Sequence, residues 1–239
     1  KEAKAADPAI RDLILVLADT KRLLGTRYAE WILGAPELET GIACASMAQD
    51  EWGHARLLYA LLKDFGDDVD ALEHGREAPD YRNMELLDRS PGSWPELVAI
   101  NALLDTAVTV QLEALADSEY APLRKRVGKV IDEEQFHGAH GIAWARRLST
   151  TPSGREAWEA AVRTALPVGA RWLGPHANAL RERWFARIEP AIQSINVERP
   201  ENIEFIGLDP ATRRVSSEGP DPLTIARVRG DKNRAFLMD

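Results

Sequence analysis

The sequence is poor in cysteine: Cys44 stands alone among 239 residues. A single cysteine forms no internal disulfide and builds no multi-cysteine zinc site or iron–sulfur cluster. Long apolar runs are missing too. The longest, Leu13 to Ala18 and Leu97 to Leu104 (broken by Asn101), fall far short of the roughly 18 residues a membrane helix needs. No Gly-x-Gly-x-x-Gly loop is present to cradle a nicotinamide or flavin. The chain does not open on the charged and apolar regions of a signal peptide, so a reducing cytoplasm is the expected setting. Positive charge is in deficit, with 30 Lys and Arg against 38 Asp and Glu, a formal net charge of −8. That balance argues against nucleic acid as a partner. What is there, 45% hydrophobic and 28% charged residues, is the composition of a globular protein with a substantial core.

Apolar residues recur at helical spacing, and alternating strand patterns are scarce. Pro8 opens a first helix with Ile10, Leu13, Ile14, Leu17, Leu24 and Tyr28 on one face, broken by Gly34-Ala35-Pro36. A second helix is expected from Leu38 to Phe65. After a polar connection over 67–93, a third should run from Trp94 to Ser118 with Ser93 and Glu96 as a capping box. A fourth is expected from Pro122 to Leu148, a fifth capped by Ser153, and a sixth ending near Ile195. From Asn196 on, Pro and Gly recur and the chain reads as an irregular tail packed on the body or on a partner. The expected domains are therefore a helical body over 1–195 and a tail over 196–239. Two helix pairs joined by a long connection are the plan of an all-α, ferritin-like four-helix bundle, here with two further helices.

The polar residues inside those helices carry the chemistry. The second helix holds Glu51-Trp52-Gly53-His54 and the fourth holds Glu134-Gln135-Phe136-His137. Both are Glu-x-x-His, and residues three apart share a helix face, so each pair can grip one ion. Such a pair from each of two helices, plus one carboxylate from each of the other two, is the ligand set of a di-iron or di-manganese centre. Helix one offers Asp19 and Glu30; helix three offers Asp105 and Glu113. Glu134 follows Glu51, His137 follows His54 and Glu113 follows Glu30 by the same 83 residues, an internal echo that nominates Glu30 with Glu113. Asp105 competes through its apolar neighbours Leu103, Leu104, Ala107 and Val108. The acids before each motif, Asp50 and Glu133, suit a second role, orienting the imidazoles of His137 and His54. The other singled-out residues read as ordinary structure. Trp31, Trp52 and Trp144 suit core or cavity lining, His140, His74 and His176 structural positions, and Cys44 the core. Arg124, Lys125, Arg126, Arg146, Arg147, Arg181, Arg183 and Arg187 suit a solvated helix surface, with the phosphates of a CoA ester or an acidic reductase as the alternative partner.

These stretches resemble the phenylacetyl-CoA epoxidase family, the catalytic and structural subunits of the phenylacetate-degrading oxygenase. Ala48-Gln49-Asp50-Glu51-Trp52-Gly53-His54 followed by Leu57-Leu58-Tyr59 is similar to the catalytic subunit's first metal motif. Glu133 to His137, after Tyr120-Ala121-Pro122, is similar to the second, and Leu103-Leu104-Asp105 to its helix-three aspartate. Ala29-Glu30-Trp31 with the turn Gly34 to Glu39 resembles the non-catalytic subunit instead. The resemblance implies a di-iron site on Glu30, Glu51, His54, Asp105, Glu134 and His137, with Glu51, Glu134 and Asp105 at the reacting centre; manganese fits the same ligands. It implies O₂ as co-substrate, a small organic substrate such as a CoA ester or an aromatic compound, a separate reductase, and a homodimer or a heterodimer with a homologous subunit. Two other functions stay open on the sequence: a non-catalytic scaffold subunit, and a ferritin-like iron-binding oxidase.

Overall fold

The computed structural model describes residues 7–231. Among them the chain is helical and has no β-strand. The helices are α1 (Pro8–Glu30), α2 (Leu38–Leu61), α3 (Val69–His74), α4 (94–113), α5 (Ala121–Leu148), α6 (Pro152–Trp172), α7 (Asn178–Ile192) and α8 (Pro222–Arg229). α4 is α-helical over Trp94–Ala99, π-helical over Ile100–Asp105 and α-helical again over Thr106–Glu113. The order of long helices agrees with the expected all-α, ferritin-like class. None of the described helices is long and apolar enough to cross a membrane. Residues 7–90 with 208–231 form one compact unit, and 91–207 form a second.

In the first unit, the Asp7 carboxylate accepts from Ala9 N at 2.9 Å and Pro8 occupies the first turn, which starts α1 where the sequence predicts. Ile14, Leu17, Leu24 and Tyr28 are fully buried on α1, which packs on α2, where Cys44, Ala48, Ala55 and Leu58 are buried in turn. Each large apolar side chain removed from water contributes about 2 kcal/mol. Gly25 sets the helix separation, since a Cβ there would lie 2.6 Å from the Trp52 ring. α2 is shorter than expected: it ends at Leu61, and a 3₁₀ turn, Leu62–Phe65, leads to Gly66 in the left-handed region. The tail is not wholly irregular. Asp221 caps α8 with Pro222 in its first turn, a start signal lost among the surrounding Pro and Gly. Arginines tie this segment down: Arg22 donates to Val228 O at 2.9 Å, Arg27 to Thr224 Oγ1 at 2.7 Å, and Arg214 to Asp88 Oδ2 at 2.7 Å.

In the second unit, α4, α5, α6 and α7 pack around Leu103, Leu104, Val127, Val130, Trp158 and Trp184. The expected Ser93 capping box is not made. The Ser93 hydroxyl and Gly92 N both donate to the Glu96 carboxylate instead, at 3.0 and 2.9 Å. α4 stops at Glu113, earlier than Ser118, and Thr151 rather than Ser153 caps α6 by accepting from Gly154 N. Within the π-helical stretch the Leu103 carbonyl accepts from Thr106 N, and Trp184 Nε1 also donates to it at 2.8 Å.

Candidate metal centre

The second unit brings three predicted ligands together. Glu134 and His137 lie on the buried stripe of α5 with Val130, Gly141 and Trp144. Asp105 ends the π-helical stretch of α4, a distortion that recurs at functional sites because it re-aims a side chain. The three offer an oxygen, an oxygen and a nitrogen within 4.8 Å of one another, and each is at most 2% exposed. His137 Nδ1 is 3.2 Å from Asp105 Oδ2 and 3.7 Å from Glu134 Oε2. The Thr109 hydroxyl is 3.1 Å from Glu134 Oε2 and 3.0 Å from the Asp105 carbonyl, and its single proton serves one of them at a time. Two carboxylates and an imidazole in this arrangement suit one hard-to-borderline divalent ion.

Asn101 supports this cluster. Its Nδ2 donates to the His137 carbonyl at 3.1 Å, which turns its Oδ1 toward His140 Nδ1, also at 3.1 Å. That acceptor makes Nδ1 the protonated nitrogen of a neutral His140. Burial, with the nearby His137 in second place, pushes the His140 imidazole down to about 4. Gly141 lets the two helices close here: a Cβ would lie 2.8 Å from Ala102 Cα.

The first unit places a different group beside its motif. Glu51 and His54 are buried on α2, at 0% and 2% exposure. Lys21 of α1 donates from Nζ to Glu51 Oε1 at 2.9 Å, and both side chains are 0% exposed. Neither helix-one candidate takes that place. Asp19 accepts from Arg76, from the Tyr59 hydroxyl and from Arg82 N at 2.8 Å. Burial alone would lower the Arg76 guanidinium; Asp19 outweighs it and holds it above its ordinary value. Burial and Asp19 together raise the Tyr59 phenol. Glu30 is nine residues beyond Lys21, about 13 Å further along the helix. Its Oε1 accepts from Arg27 at 2.7 Å and from Arg227. The echo partner Glu113 is clamped in the same style, by Arg183 and Arg187 at 2.7 Å each, on the surface of the second unit. The 83-residue echo thus pairs two arginine-clamped glutamates, and Asp105 is the helix-three acid that meets a motif.

The family profile described as phenylacetic acid catabolic protein matches residues 1–207. The chain belongs to this family. Two curated relatives come from the 1,2-phenylacetyl-CoA epoxidase of Escherichia coli K12. To the epoxidase subunit lettered C the chain is 29% identical over 150 residues, covering 61% of this chain and 60% of that protein. To the one lettered A it is 28% identical over 116 residues, covering 47% of this chain and 36% of that protein. The matched stretches therefore span less than two thirds of the length of these curated relatives.

For this member of the phenylacetic acid catabolic family, Lys21 is the residue that the metal-ligand motifs do not reveal. The signal is in the sequence: Leu17, Leu24 and Tyr28 define a core stripe on α1, and position 21 falls on it. A lysine on a buried stripe requires a carboxylate partner. Tested against a two-ion centre, the donor sets differ. Asp105, Glu134 and His137 fit an ion. The first motif lacks the helix-one carboxylate such a centre needs, and Glu51 already holds a cationic ammonium. Asp50 and Glu133 are half-buried, and Lys129 lies 3.7 Å from Glu133 Oε1.

Proposed function

We propose that this chain is a non-catalytic subunit of an oxygenase of the phenylacetyl-CoA epoxidase type, serving a homologous subunit that carries the di-iron centre. The observation that supports this reading best is the buried Lys21–Glu51 ion pair. A reactive di-iron centre needs both Glu-x-x-His motifs completed by carboxylates. An ammonium against one of them competes with a metal ion for that carboxylate and adds a positive charge next to any ion. Membership of the family and similarity to two epoxidase subunits agree with a place in a multi-subunit oxygenase. On this reading the organic substrate, O₂ and the separate reductase meet the partner subunit. The test is iron analysis after anaerobic loading with Fe(II), combined with an epoxidation assay on phenylacetyl-CoA. Fewer than two irons and no turnover by the isolated chain are expected, with turnover only when a homologous subunit with a full ligand set is added. Two irons per chain and turnover by the chain alone would reject the proposal.

A second reading is favoured by the buried Asp105–Glu134–His137 cluster. In it, the chain is itself the di-iron subunit. Glu51, His54, Asp105, Glu134 and His137 would hold the ions with Glu30 as sixth ligand, and the metal would supply O₂ activation. That reading requires Lys21 to leave Glu51 and Glu30 to leave Arg27 and Arg227. The iron count separates the two.

A further inference from the structure

We propose that Lys21 is a built-in cation that stands in for a metal ion at the first Glu-x-x-His motif, and that one substitution at position 21 converts this motif into a divalent-cation site. The inference deepens the non-catalytic reading and rests on it. Two observations within the first unit carry it. The Lys21 ammonium and the Glu51 carboxylate meet at 2.9 Å with no exposure of either side chain, so their charges must compensate each other inside the protein. His54 lies one turn along α2 on the same buried face, at 2% exposure, and keeps an imidazole beside that carboxylate. Lysine is also the residue whose shape fits: a compact single charge on a straight stem, unlike the planar fork of arginine. The Lys21 ammonium therefore brings to Glu51 a positive charge of the kind a metal ion would bring.

Replacing Lys21 by glutamate reverses this charge. Two carboxylates and an imidazole, Glu at position 21 with Glu51 and His54, would face one another from α1 and α2. Two buried negative charges are tolerated only with a cation between them, so binding and folding become linked. The donor set suits Mn(II) or Fe(II).

The experiment uses the full chain with MnCl₂ as the only added ligand. Bound Mn(II) is read by the loss of its free-ion EPR signal, and thermal midpoints are followed with and without the metal. Lys21→Glu is expected to take up about one Mn(II) per chain more than the wild type and to gain several degrees on loading, as a roughly hundredfold excess over Kd implies. A second set covers the case in which Lys21→Glu does not fold. Lys21→Leu should melt well below the wild type, and Lys21→Leu/Glu51→Leu should recover most of that loss, because the ammonium and the carboxylate are then removed together. The internal cation is overturned if a folded Lys21→Glu chain binds no more Mn(II) than the wild type. It is equally overturned if Lys21→Leu alone melts no lower than the double variant. In both cases a wild type holding at most one ion leaves the non-catalytic reading standing. A wild type that binds two ions rejects that reading together with the inference.

Discussion

The two units carry the same four-residue motif and meet it from the preceding helix with groups of opposite charge. In the second unit the acid from α4, Asp105, meets His137 at 3.2 Å, and three metal-binding groups converge. In the first, the group from α1 is Lys21, and it meets Glu51 at 2.9 Å. Lys21 precedes its motif glutamate by 30 residues and Asp105 precedes its own by 29, so similar places on the preceding helix hold a base in one unit and an acid in the other. The lesson is that a Glu-x-x-His pair specifies a capacity. The facing helix decides whether the motif meets a further metal-binding acid or an ammonium.

The sharpest way to break this comparison is to remove each facing group in turn. Lys21→Met leaves the Glu51 carboxylate buried without its ammonium, and the expected loss is about 3–5 kcal/mol in urea unfolding. Asp105→Asn keeps a side-chain oxygen near His137 and removes a charge from an already acidic cluster, so about 1–2 kcal/mol is expected. Equal losses would mean that the two facing groups do equivalent work, and the asymmetry between the units would fall.

Next in size is an acid limb. The His140 imidazole titrates near 4 in the folded chain and near its ordinary value of 6.5 when unfolded. Between those values the unfolded chain binds a proton that the folded chain refuses, so this contribution is complete above pH 6.5 and is lost as pH falls toward 4. The window is worth up to roughly 3 kcal/mol. His140→Gln, which can still offer an N–H to Asn101, should flatten the stability–pH curve in that range. An unchanged slope would place the titrating group elsewhere.

Much of this is legible in the sequence. The apolar stripes of α1 and α5, Pro8, the two motifs and the all-α order follow from spacing, because burial of one helix face leaves a regular trace in sequence. Two things are not. The choice between Asp105 and Glu113 depends on a π-helical stretch, Ile100–Asp105, whose single-residue change of register no apolar pattern announces. The meaning of Glu30 depends on Arg227, almost 200 residues away, and on Arg27, buried with its head on the Leu87 carbonyl. Lys21 is visible as a break in a core stripe, yet a pattern of metal ligands is made of acids and imidazoles and passes over a base.

A packing change comes third. Gly141→Ala places a methyl 2.8 Å from Ala102 Cα, which belongs to the helix backbone and cannot rotate aside. The expected cost is about 1–3 kcal/mol, with the π-helical stretch moving to relieve it. Because that stretch holds Asp105, bound Mn(II) should weaken with stability in this variant. Lost stability without any change in metal affinity would separate the packing of α4 from the aim of its aspartate.

The smallest effect expected is at Glu113, and it tests whether the two arginine clamps of the echo are alike. Glu113 sits between Arg183 and Arg187, whose side chains are 50% and 43% exposed, so water and salt screen both pairs. Glu30 faces Arg27, which is fully buried and has no water to fall back on. Glu113→Gln should therefore cost less than about 1 kcal/mol, and the cost should vanish in about 0.5 M salt, a concentration at which the Debye length is only about 4 Å. Glu30→Gln should cost more and keep its cost in salt, because a buried guanidinium left with a neutral partner gains nothing from ions it cannot reach. If both variants lose the same amount and both losses vanish with salt, the clamp on Glu30 is no firmer than the surface one. Glu30 would then be free enough to turn toward a ligand, which is what the second functional reading requires of it.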